Sequence, residues 1–440
     1  MIVMKFGGTS VQNAEAMLQS ATVVQERIAK KPIVVLSACS GITNKLVQLS
    51  TAIVSNHKYA DSIILEILSH HRDVVASVKL DIQTQNQLHT AVEELLTEFT
   101  TFLNGITLLK ECTPRSADTL LSFGELLSST IFTYLLKGKG INACLVFAKE
   151  CVVTSRNFGN AIVDYEATKN STKIVVEPLL KDYDCIITQG FIGSFEGITT
   201  TLGRGGSDFS AAIFGYALEV EEIQIWTDVS GVFTTDPRMV SDATTINQLT
   251  FEEIRDLSVY GAKVLHPETI LPAVKSSIPV KVLNTFKPND SGTEIHTTPL
   301  KKVGKPKAVS ALQKCTTITI WVPIEQESSE LLNEILPKLI EDGISMLLLT
   351  VTESKISFTT KSTLDEIHPL LHSLKYTFEN TSLICVLVEQ SLHTRTAILE
   401  LLKGFLIEQY SISNSENSFL IVCKEPDTVA VVTAIHKSII

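Results

Sequence analysis

The sequence predicts an α/β protein built on a parallel sheet, followed by a second, smaller α/β region. Three observations support this prediction. Short apolar runs typical of buried strands alternate with longer stretches that have helical periodicity. The first two apolar runs, at residues 2–6 and 33–37, are each followed by a loop rich in glycine or hydroxyl side chains, and each loop leads into a helix. After residue 284 the composition becomes polar and rich in proline before a new series of strands and helices begins.

Length and composition exclude several classes of protein. With 440 residues, of which 44% are hydrophobic, the chain is expected to form two or three domains with well-buried cores. Its net charge of −11 repels nucleic acid and anionic membranes, so neither is expected as a partner. The start, MIVMKFGG, has too short an apolar run for a signal peptide, and no apolar stretch is expected to reach membrane-spanning length, which predicts a cytoplasmic protein.

The eight cysteines are scattered along the chain and form no C-x-x-C pair. Most lie in apolar surroundings such as CLVF and LICVLVE, so reduced core residues are expected rather than ligands. No structural metal is predicted.

Strand, loop and helix units repeat along the first region, which is expected to cover residues 1–295. Strands are expected at residues 2–6, 33–37, 143–147, 184–189, 223–227 and 280–283, and the tract GFIGSFEGITTTLGRGGSD at 190–208 is expected to give two strands and a hairpin turn. Helices are expected at residues 13–30, after the loop at 38–44, within 60–104, from 119, from 209 and at 250–257. Loops that leave the carboxyl ends of parallel strands gather at one edge of a sheet, so several of these loops are expected to converge.

The turn GRGGSD at residues 203–208 is the most informative stretch. Its glycines permit positive φ angles and close approach to a ligand, and Ser207 and Asp208 are favoured residue types at helix starts. Free N–H groups and the helix dipole suit a phosphate or a carboxylate, and the guanidinium of Arg204 matches either. A glycine-rich surface turn with a capping Asp208 is the alternative. Neither a P-loop nor a G-x-G-x-x-G motif occurs in the chain.

Two further charged residues are candidates for a site. Lys5 precedes Gly7 and Gly8, where its ammonium could lie beside phosphates bound by the glycine amides; the alternative is a solvated charge at a strand end. Glu125 lies among Leu and Phe residues on a predicted helix. It either faces solvent or binds a cation such as a substrate ammonium.

The second region follows a linker predicted at residues 296–310. Its strands are expected at residues 316–322, 344–351, 355–360, 383–389 and 418–423. Its helices are expected at residues 328–341, 363–374, 394–402 and 427–438. This order fits two copies of a β-α-β-β-α-β pattern, one over residues 311–380 and one over residues 381–440.

Seven motifs together resemble those of aspartate kinases (aspartokinases) of the amino acid kinase family. In chain order they are KFGGTS at 5–10, LSACSGITN at 36–44, SFGELLS at 122–128, ITQGFIG at 187–193, TTLGRGGSD at 200–208, WTDVSGVFTTDPR at 226–238 and YGAKVLHP at 260–267. The resemblance implies phosphorylation of the β-carboxylate of L-aspartate by ATP, with Mg²⁺. That carboxylate has a pKa of about 3.9 and is already ionised at neutral pH, so no general base is required.

The resemblance also assigns residues on the substrate side. Lys5 corresponds to the lysine that stabilises the transferring phosphoryl group, and Thr43 to a substrate contact. Glu125 and Asp208 correspond to the acids near the substrate ammonium and the reacting centre. Arg204 corresponds to the group that holds a substrate carboxylate, and Ser207 is expected to donate a hydrogen bond beside it.

On the nucleotide side, the resemblance implies contacts from residues spread over four of the motifs. They are Lys5, Gly7, Gly8, Ser37, Thr227, Asp228, Phe233, Asp236, Arg238 and Lys263. Many relatives have Tyr where Phe233 stands, so any contact made by that hydroxyl is lost. Magnesium is expected to be held chiefly by the phosphates, and no protein ligand is assigned to it.

For the second region, the resemblance implies a pair of ferredoxin-like (ACT) domains, which aspartate kinases use to sense amino acids and to dimerise. The predicted fold is thus an αβα sandwich of amino acid kinase type with an ACT pair at the carboxyl end, in a homodimer or homotetramer. Leu347 stands where lysine-sensitive relatives often have an acidic residue, which predicts a weakened or different response to a lysine effector. Ser345, Met346 and Thr350 are candidate rim residues, with core packing favoured for Met346.

Two other functions stay open at this point. The first is a catalytically silent amino-acid sensor that keeps the fold and acts by binding alone. The second is an amino acid kinase that acts on glutamate or a nucleotide. The joint presence of Lys5, Glu125, Arg204 and Asp208 favours an active aspartate kinase.

Overall fold

An eight-stranded sheet forms the centre of the first of two units in the computed structural model, which describes residues 1–262, 265, 267–297, 307–388, 392–412 and 418–440. The first unit comprises Met1–Val232, Asn247–Phe251 and Leu265–Pro299. The second comprises Phe233–Ile246, Glu252–Val264 and Leu300–Ile440. Two segments of the predicted first region therefore belong, by their contacts, to the second unit.

The strands of the first unit lie close to their predicted positions. They are β1 (Ile2–Phe6), β2 (Ile33–Leu36), β3 (Ala143–Leu145), β4 (Cys185–Gln189), β5 (Ile192–Phe195), β6 (Ile198–Thr201), β7 (Glu222–Thr227), β8 (Gln248–Thr250), β9 (Val280–Asn284) and β10 (Thr293–His296). The sheet has the order β3-β4-β2-β1-β7-β9-β10-β8, and β5 and β6 form a separate hairpin. Its neighbouring strands are parallel apart from β9 and β10, which confirms the predicted class. Strands β8 and β10 were not predicted.

Helices connect these strands. They are α1 (Ala14–Gln25), α2 (Ile42–Ser55), α3 (His57–Ser77), α4 (Ile82–Leu109), α5 (Pro114–Gly138), α6 (Ala148–Cys151), α7 (Tyr165–Asp182), α8 (Gly206–Leu218), α9 (Phe251–Val259) and α10 (Leu271–Lys275). Strands β1, β2 and β4 are buried along their whole length, as expected for parallel strands covered on both faces.

The carboxyl ends of four strands are in register at one edge of the sheet. Phe6 pairs with both Leu36 and Trp226, and Leu36 pairs in turn with Gln189. The loops that follow β1, β2, β4 and β7 therefore leave from the same edge. This register positions the candidate site.

Helix α5 differs from the expectation that no apolar stretch reaches membrane-spanning length. Of the described residues, α5 is long and apolar enough to cross a membrane, although no such stretch was expected. However, 78% of its most apolar window is buried inside the protein. The apolar residues of α5 therefore pack in the core of the first unit, where Phe123, Ile131 and Phe132 are buried.

The second unit contains a six-stranded sheet with helices. Its strands are β11 (Ala308–Trp321), β12 (Met346–Val351), β13 (Lys355–Thr360), β14 (Tyr376–Leu387), β15 (Ile407–Ile412) and β16 (Ser418–Lys424). Its further helices are α11 (Ser328–Glu341), α12 (Leu364–Leu371), α13 (Leu392–Leu401) and α14 (Thr428–Ile439). The strand order is β12-β13-β11-β14-β16-β15.

Two long strands are shared by both ferredoxin-like halves of this sheet. The end of β11 (316–321) and the start of β14 pair beside β13, and the start of β11 (308–312) pairs with the end of β14 beside β16. The second half thus takes its last strand from residues that precede the first half. The prediction of two consecutive repeats missed this permutation, and it also missed β15. The domain boundaries at 295, 310 and 380 stay predictions, and residues 298–306 of the predicted linker lie outside the described residues.

Candidate active site

The turn after β1 brings backbone close to the loop after β2. Lys5 is buried, with 8% of its surface exposed. Gly7 donates its N–H to the carbonyl of Trp226 at 3.0 Å. A Cβ atom on Gly8 would lie 3.1 Å from the carbonyl oxygen of Ala38, which is tighter than most side-chain contacts. Glycine therefore lets the two loops approach each other, as expected from the predicted convergence.

A buried ion pair links β1 to the start of α8. The ammonium of Lys5 lies 2.6 Å from Oδ1 of Asp208, and the two side chains are only 11% and 17% exposed. That oxygen has no aligned hydrogen-bond donor among the described residues, so the contact is an ion pair only. Partial exclusion of water makes such a pair stronger than one at the surface. The structure thus brings together two predicted site residues from distant motifs.

The helix start decides between the two interpretations of Asp208. Helix α8 begins at Gly206 with Gly205 as its N-cap at φ +70°, and no side chain caps it. Ser207 and Asp208 lie within the first turn, so neither is the N-cap that their residue type suggested. The carboxylate of Asp208 is consequently used for the ion pair with Lys5.

The turn that precedes α8 has the predicted backbone geometry. Gly203 and Gly205 adopt left-handed φ angles of +75° and +70°. Arg204 lies between them and is exposed, whereas Ser207 is half-buried. A Cβ atom on Gly190, the residue after β4, would lie 2.6 Å from Cβ of Ser207. The turn is therefore packed tightly against the carboxyl edge of the sheet and presents Arg204 outward.

Glu125 is a buried acid in the same unit. It is 3% exposed, and its Oε2 has no hydrogen-bond partner among the described residues. Burial raises the pKa of this carboxyl to about 8, while an N–H donated by Ala38 and the charge of Lys5 act in the opposite direction. Of the two interpretations of Glu125, solvent exposure is therefore wrong. A buried acid with a free oxygen near a lysine is suited to binding a cation.

The loop after β2 holds two predicted residues. Ser37 donates its N–H to Phe6 at 3.2 Å, and its carbonyl accepts a 2.7 Å hydrogen bond from the hydroxyl of Ser128. Thr43 is half-buried in the first turn of α2. These contacts connect the loop both to β1 and to the helix that carries Glu125.

Thr227 and Asp228 lie at the end of β7, at the same sheet edge. The hydroxyl of Thr227 donates to Oδ1 of Asp228 at 3.1 Å, and the side-chain amide of Asn284 donates to the Asp228 carbonyl at 3.4 Å. Both residues therefore belong to the first unit, as do Lys5 and Asp208.

The remaining predicted nucleotide residues belong to the second unit or lie outside the described residues. Phe233 and Arg238 belong to the second unit, where the carboxylate of Asp236 accepts hydrogen bonds from the guanidinium of Arg238, the shortest at 2.6 Å. This partner raises the pKa of the guanidinium, which is exposed. Lys263 lies outside the described residues. The association of these three with Lys5 stays a prediction.

One buried acid escaped the analysis of the sequence. Asp118 lies seven residues before Glu125 on α5 and is 1% exposed. Two acids seven residues apart lie on the same face of a helix, two turns from each other. The seven-residue spacing of Asp118 and Glu125 on an otherwise apolar helix face was the sequence feature that could have identified Asp118.

The described residues contain no group of three or more His, Cys, Asp or Glu side chains that could hold a metal ion. The carboxylate of Asp208 is paired with Lys5. The side chains present therefore do not provide a preformed magnesium site, whereas the glycine turns and cations suit phosphate groups.

Comparison with known proteins identifies the family. The model of the amino acid kinase family matches residues 1–284. The lysine-sensitive aspartokinase 3 of Escherichia coli is 36% identical over 366 residues, which cover 82% of this chain and 78% of that protein. The chain belongs to the aspartokinases. A chloroplastic aspartokinase 3 of Arabidopsis thaliana is 39% identical over 301 residues, and the match covers 67% of this chain and about half, 52%, of the plant protein.

Solved aspartokinase structures have the same fold over the whole chain. E. coli aspartokinase III in complex with aspartate and ADP matches with a TM-score of 0.82 at 30% identity, covering 99% of both chains. The same enzyme in complex with lysine and aspartate matches with a TM-score of 0.85 at 30% identity. The predicted fold class is therefore confirmed, including the pair of ferredoxin-like domains at the carboxyl end. As a member of the aspartokinases, the chain is an ATP-dependent kinase of aspartate.

Proposed function

We propose that phosphoryl transfer from ATP to the β-carboxylate of L-aspartate takes place at the carboxyl edge of the eight-stranded sheet, beside the ion pair of Lys5 and Asp208. The main support for this proposal is the 2.6 Å distance between the ammonium of Lys5 and Oδ1 of Asp208. It places a cation next to the turns that follow β1 and precede α8. Because the acceptor carboxylate is already ionised, the protein needs to align the reactants and neutralise phosphate charge.

On the substrate side, four charged side chains have complementary functions. Glu125 binds the substrate ammonium, because a buried carboxylate with a free oxygen gains most from a cation. Arg204 binds the α-carboxylate through its planar guanidinium. Lys5 and Asp208 contact the reacting groups, with Ser207 and Thr43 as hydrogen-bond donors beside them.

On the nucleotide side, the backbone of Gly7 and Gly8 lies beside the phosphates, although the N–H of Gly7 is already donated to the carbonyl of Trp226. Ser37, Thr227 and Asp228 contribute from neighbouring strand ends, and the predicted Phe233, Arg238 and Lys263 complete the nucleotide contacts. Magnesium bound with ATP would neutralise phosphate charge, and the phosphates themselves would hold it.

For regulation, an amino-acid effector at the ACT pair and a homodimer or homotetramer are further parts of this proposal, as is a cytoplasmic location. The similar E. coli protein is named lysine-sensitive. Here Leu347 packs beside the core cluster that contains Leu348, and Met346 packs against the core of the first half. These apolar environments support the prediction that the response to lysine differs from that of lysine-sensitive relatives.

The activity is tested with a hydroxylamine trap. Incubation with ATP, Mg²⁺, L-aspartate and hydroxylamine is expected to yield aspartyl hydroxamate, because the acyl phosphate product reacts with hydroxylamine. Glutamate in place of aspartate serves as the control for the amino acid kinase alternative. Binding of aspartate without any hydroxamate would leave only the silent sensor. A panel of amino acids added as inhibitors in the same assay then identifies the effector.

Arg204→Ala is expected to raise the aspartate KM by about 10- to 100-fold, the scale of one lost charge-assisted hydrogen bond. The ATP KM is expected to stay within about twofold, because Arg204 lies on the substrate side of the proposed site. Arg72→Ala is the matched control, since it removes a guanidinium that pairs with Glu93 on α4. Steady-state kinetics with each substrate varied in turn measure both constants. An unchanged aspartate KM would assign the carboxylate to another group.

The kcat/KM for aspartate is expected to rise with pH up to about 8 and then to level off. In the free enzyme burial raises the pKa of Glu125 to about 8. Below that pH the carboxyl is protonated, and binding of an ammonium requires loss of the proton. Below pH 8, kcat/KM is expected to rise about tenfold per pH unit. Glu125→Gln is expected to remove the slope and to lower kcat/KM most at pH 8 and above, where the wild-type carboxyl is ionised. A slope that persists in Glu125→Gln would belong to another group.

A further inference from the structure

A buried carboxylate ties together three segments beside the proposed substrate site. Asp118 on α5 is 1% exposed. Its Oδ2 accepts hydrogen bonds from the backbone N–H groups of Gly159, at 3.0 Å, and Thr201, at 2.9 Å. Its Oδ1 accepts a third from the hydroxyl of Thr201, at 2.7 Å. Burial raises the pKa of Asp118, and these three donors oppose that shift. These three hydrogen bonds therefore hold the carboxylate of Asp118 in place.

Both segments that Asp118 binds border the turn that carries Arg204. Thr201 is the last residue of β6 and lies two residues before Gly203. Gly159 precedes Asn160, whose Oδ1 would lie 2.6 Å from a Cβ atom on Gly203. In addition, Ala161 donates its N–H to the carbonyl of Thr201 at 2.9 Å. The backbone that leads into the turn at 203–206 is therefore held by Asp118 and by the segment at 159–161.

The same helix carries Glu125 two turns further on. An α-helix is a stiff spacer, and seven residues correspond to about 10 Å of rise. Asp118 therefore connects the position of Glu125 to the position of the turn at 203–206. In the proposed function these two parts bind opposite ends of one small molecule, the ammonium and the α-carboxylate of aspartate.

We propose that Asp118 is a positioning residue for the aspartate subsite: it holds the turn of Arg204 at a fixed distance from Glu125 on the same helix. This inference rests on the proposed function and deepens it. Asp118 touches no reacting group itself. It fixes the distance between Arg204 and Glu125, which the ammonium and the α-carboxylate of aspartate must match. A displaced binding group would lower both the affinity for aspartate and the rate of phosphoryl transfer.

The chemistry of the three hydrogen bonds allows a rescue test. An asparagine can accept both backbone N–H bonds through its amide oxygen, and its NH₂ group can donate to the hydroxyl oxygen of Thr201. Alanine leaves all three donors without a partner. Asp118→Asn is therefore the conservative variant and Asp118→Ala the disruptive one, while Thr201→Val removes only the bond from the hydroxyl.

Kinetics of the full-length variants separate positioning from general destabilisation. Asp118→Ala is expected to raise the aspartate KM at least tenfold and to lower kcat, with the ATP KM within twofold of wild type. Asp118→Asn is expected to restore the aspartate KM. The matched control is Asp81→Ala, which removes the helix cap bond to Thr84 in the same unit and is expected to lower the melting temperature without changing either KM. An unchanged aspartate KM, an equal rise of both KM values, or no rescue by asparagine would overturn the proposal.

A second measurement is independent of the activity. Arg204 is exposed in the turn, so trypsin can cut the Arg204–Gly205 bond under native conditions. Mass spectrometry of brief digests is expected to show at least fivefold faster cleavage there in Asp118→Ala than in wild type, and no acceleration in Asp81→Ala. Equal cleavage rates would overturn the inference. If the wild-type protein formed no aspartyl hydroxamate, the proposed function would fail while this measurement still tested Asp118. If Asp118→Ala did not fold, Thr201→Val would be expected to show the same two effects at smaller size.

Discussion

Replacing Lys5 by alanine is expected to lower kcat by about 100- to 1000-fold, the usual scale for removing one preorganised charge donor at a transition state. The ammonium of Lys5 is largely shielded from water and is held 2.6 Å from Asp208. It therefore needs no reorganisation when charge moves onto the transferring phosphoryl group. The hydroxamate assay at saturating ATP and aspartate measures the change directly.

Two controls belong with this variant. Lys79→Ala removes an exposed lysine between α3 and α4, and its kcat is expected to equal that of wild type. The melting temperature of Lys5→Ala is the second control, because the substitution leaves Asp208 without its ion-pair partner in a partly buried site. A well-folded Lys5→Ala protein with nearly normal kcat would refute the proposed function of this residue.

Replacing Gly190 by alanine is expected to lower kcat by about 100-fold, the cost of a misplacement of about 1 Å among catalytic groups. The new Cβ atom would lie 2.6 Å from Cβ and 2.8 Å from Cα of Ser207, so the backbone at the start of α8 has to move. Asp208 is the next residue along that helix and is expected to move with it. The overpacked contact is also expected to cost about 1–3 kcal/mol of unfolding free energy.

Gly105→Ala is the matched control for this substitution. Gly105 lies inside α4, and its added Cβ atom would meet nothing within 4 Å. Alanine is there expected to stabilise the protein by about 0.5–1 kcal/mol, since it is the better helix former. Kinetics and thermal unfolding of the two variants are measured side by side. A fully active Gly190→Ala protein would mean that the start of α8 accommodates the extra atom without moving the site.

Much of the candidate site could be predicted because its motifs are local. The turn at 203–208 combines glycines with positive φ and a helix start within six residues, and the strand before Gly7 and Gly8 is an apolar run interrupted only by Lys5. Such features depend on the conformational preferences of neighbouring residues. Their order along the chain was sufficient to indicate the aspartokinases.

Other parts were decided by contacts between distant segments. The burial of Glu125, the three hydrogen bonds of Asp118 and the origin of the last strand of the second ferredoxin-like half all depend on which segments pack together. Sequence periodicity reports which face of a helix or strand is apolar. It does not report which partner covers that face, so β15 and the permuted strand at 308–312 were missed.

By itself, the sequence determined the class of fold and the residue types available for phosphate and carboxylate binding, because these follow from short-range pattern, and its motifs indicated the family through their resemblance to those of aspartate kinases. Only the tertiary structure decided that Asp208 pairs with Lys5 and does not cap its own helix. The physical reason is that Gly205 already provides the left-handed residue at the helix start, while the register of the parallel strands brings β1 to the same edge as α8. A carboxylate freed from capping and placed beside a buried ammonium forms the ion pair.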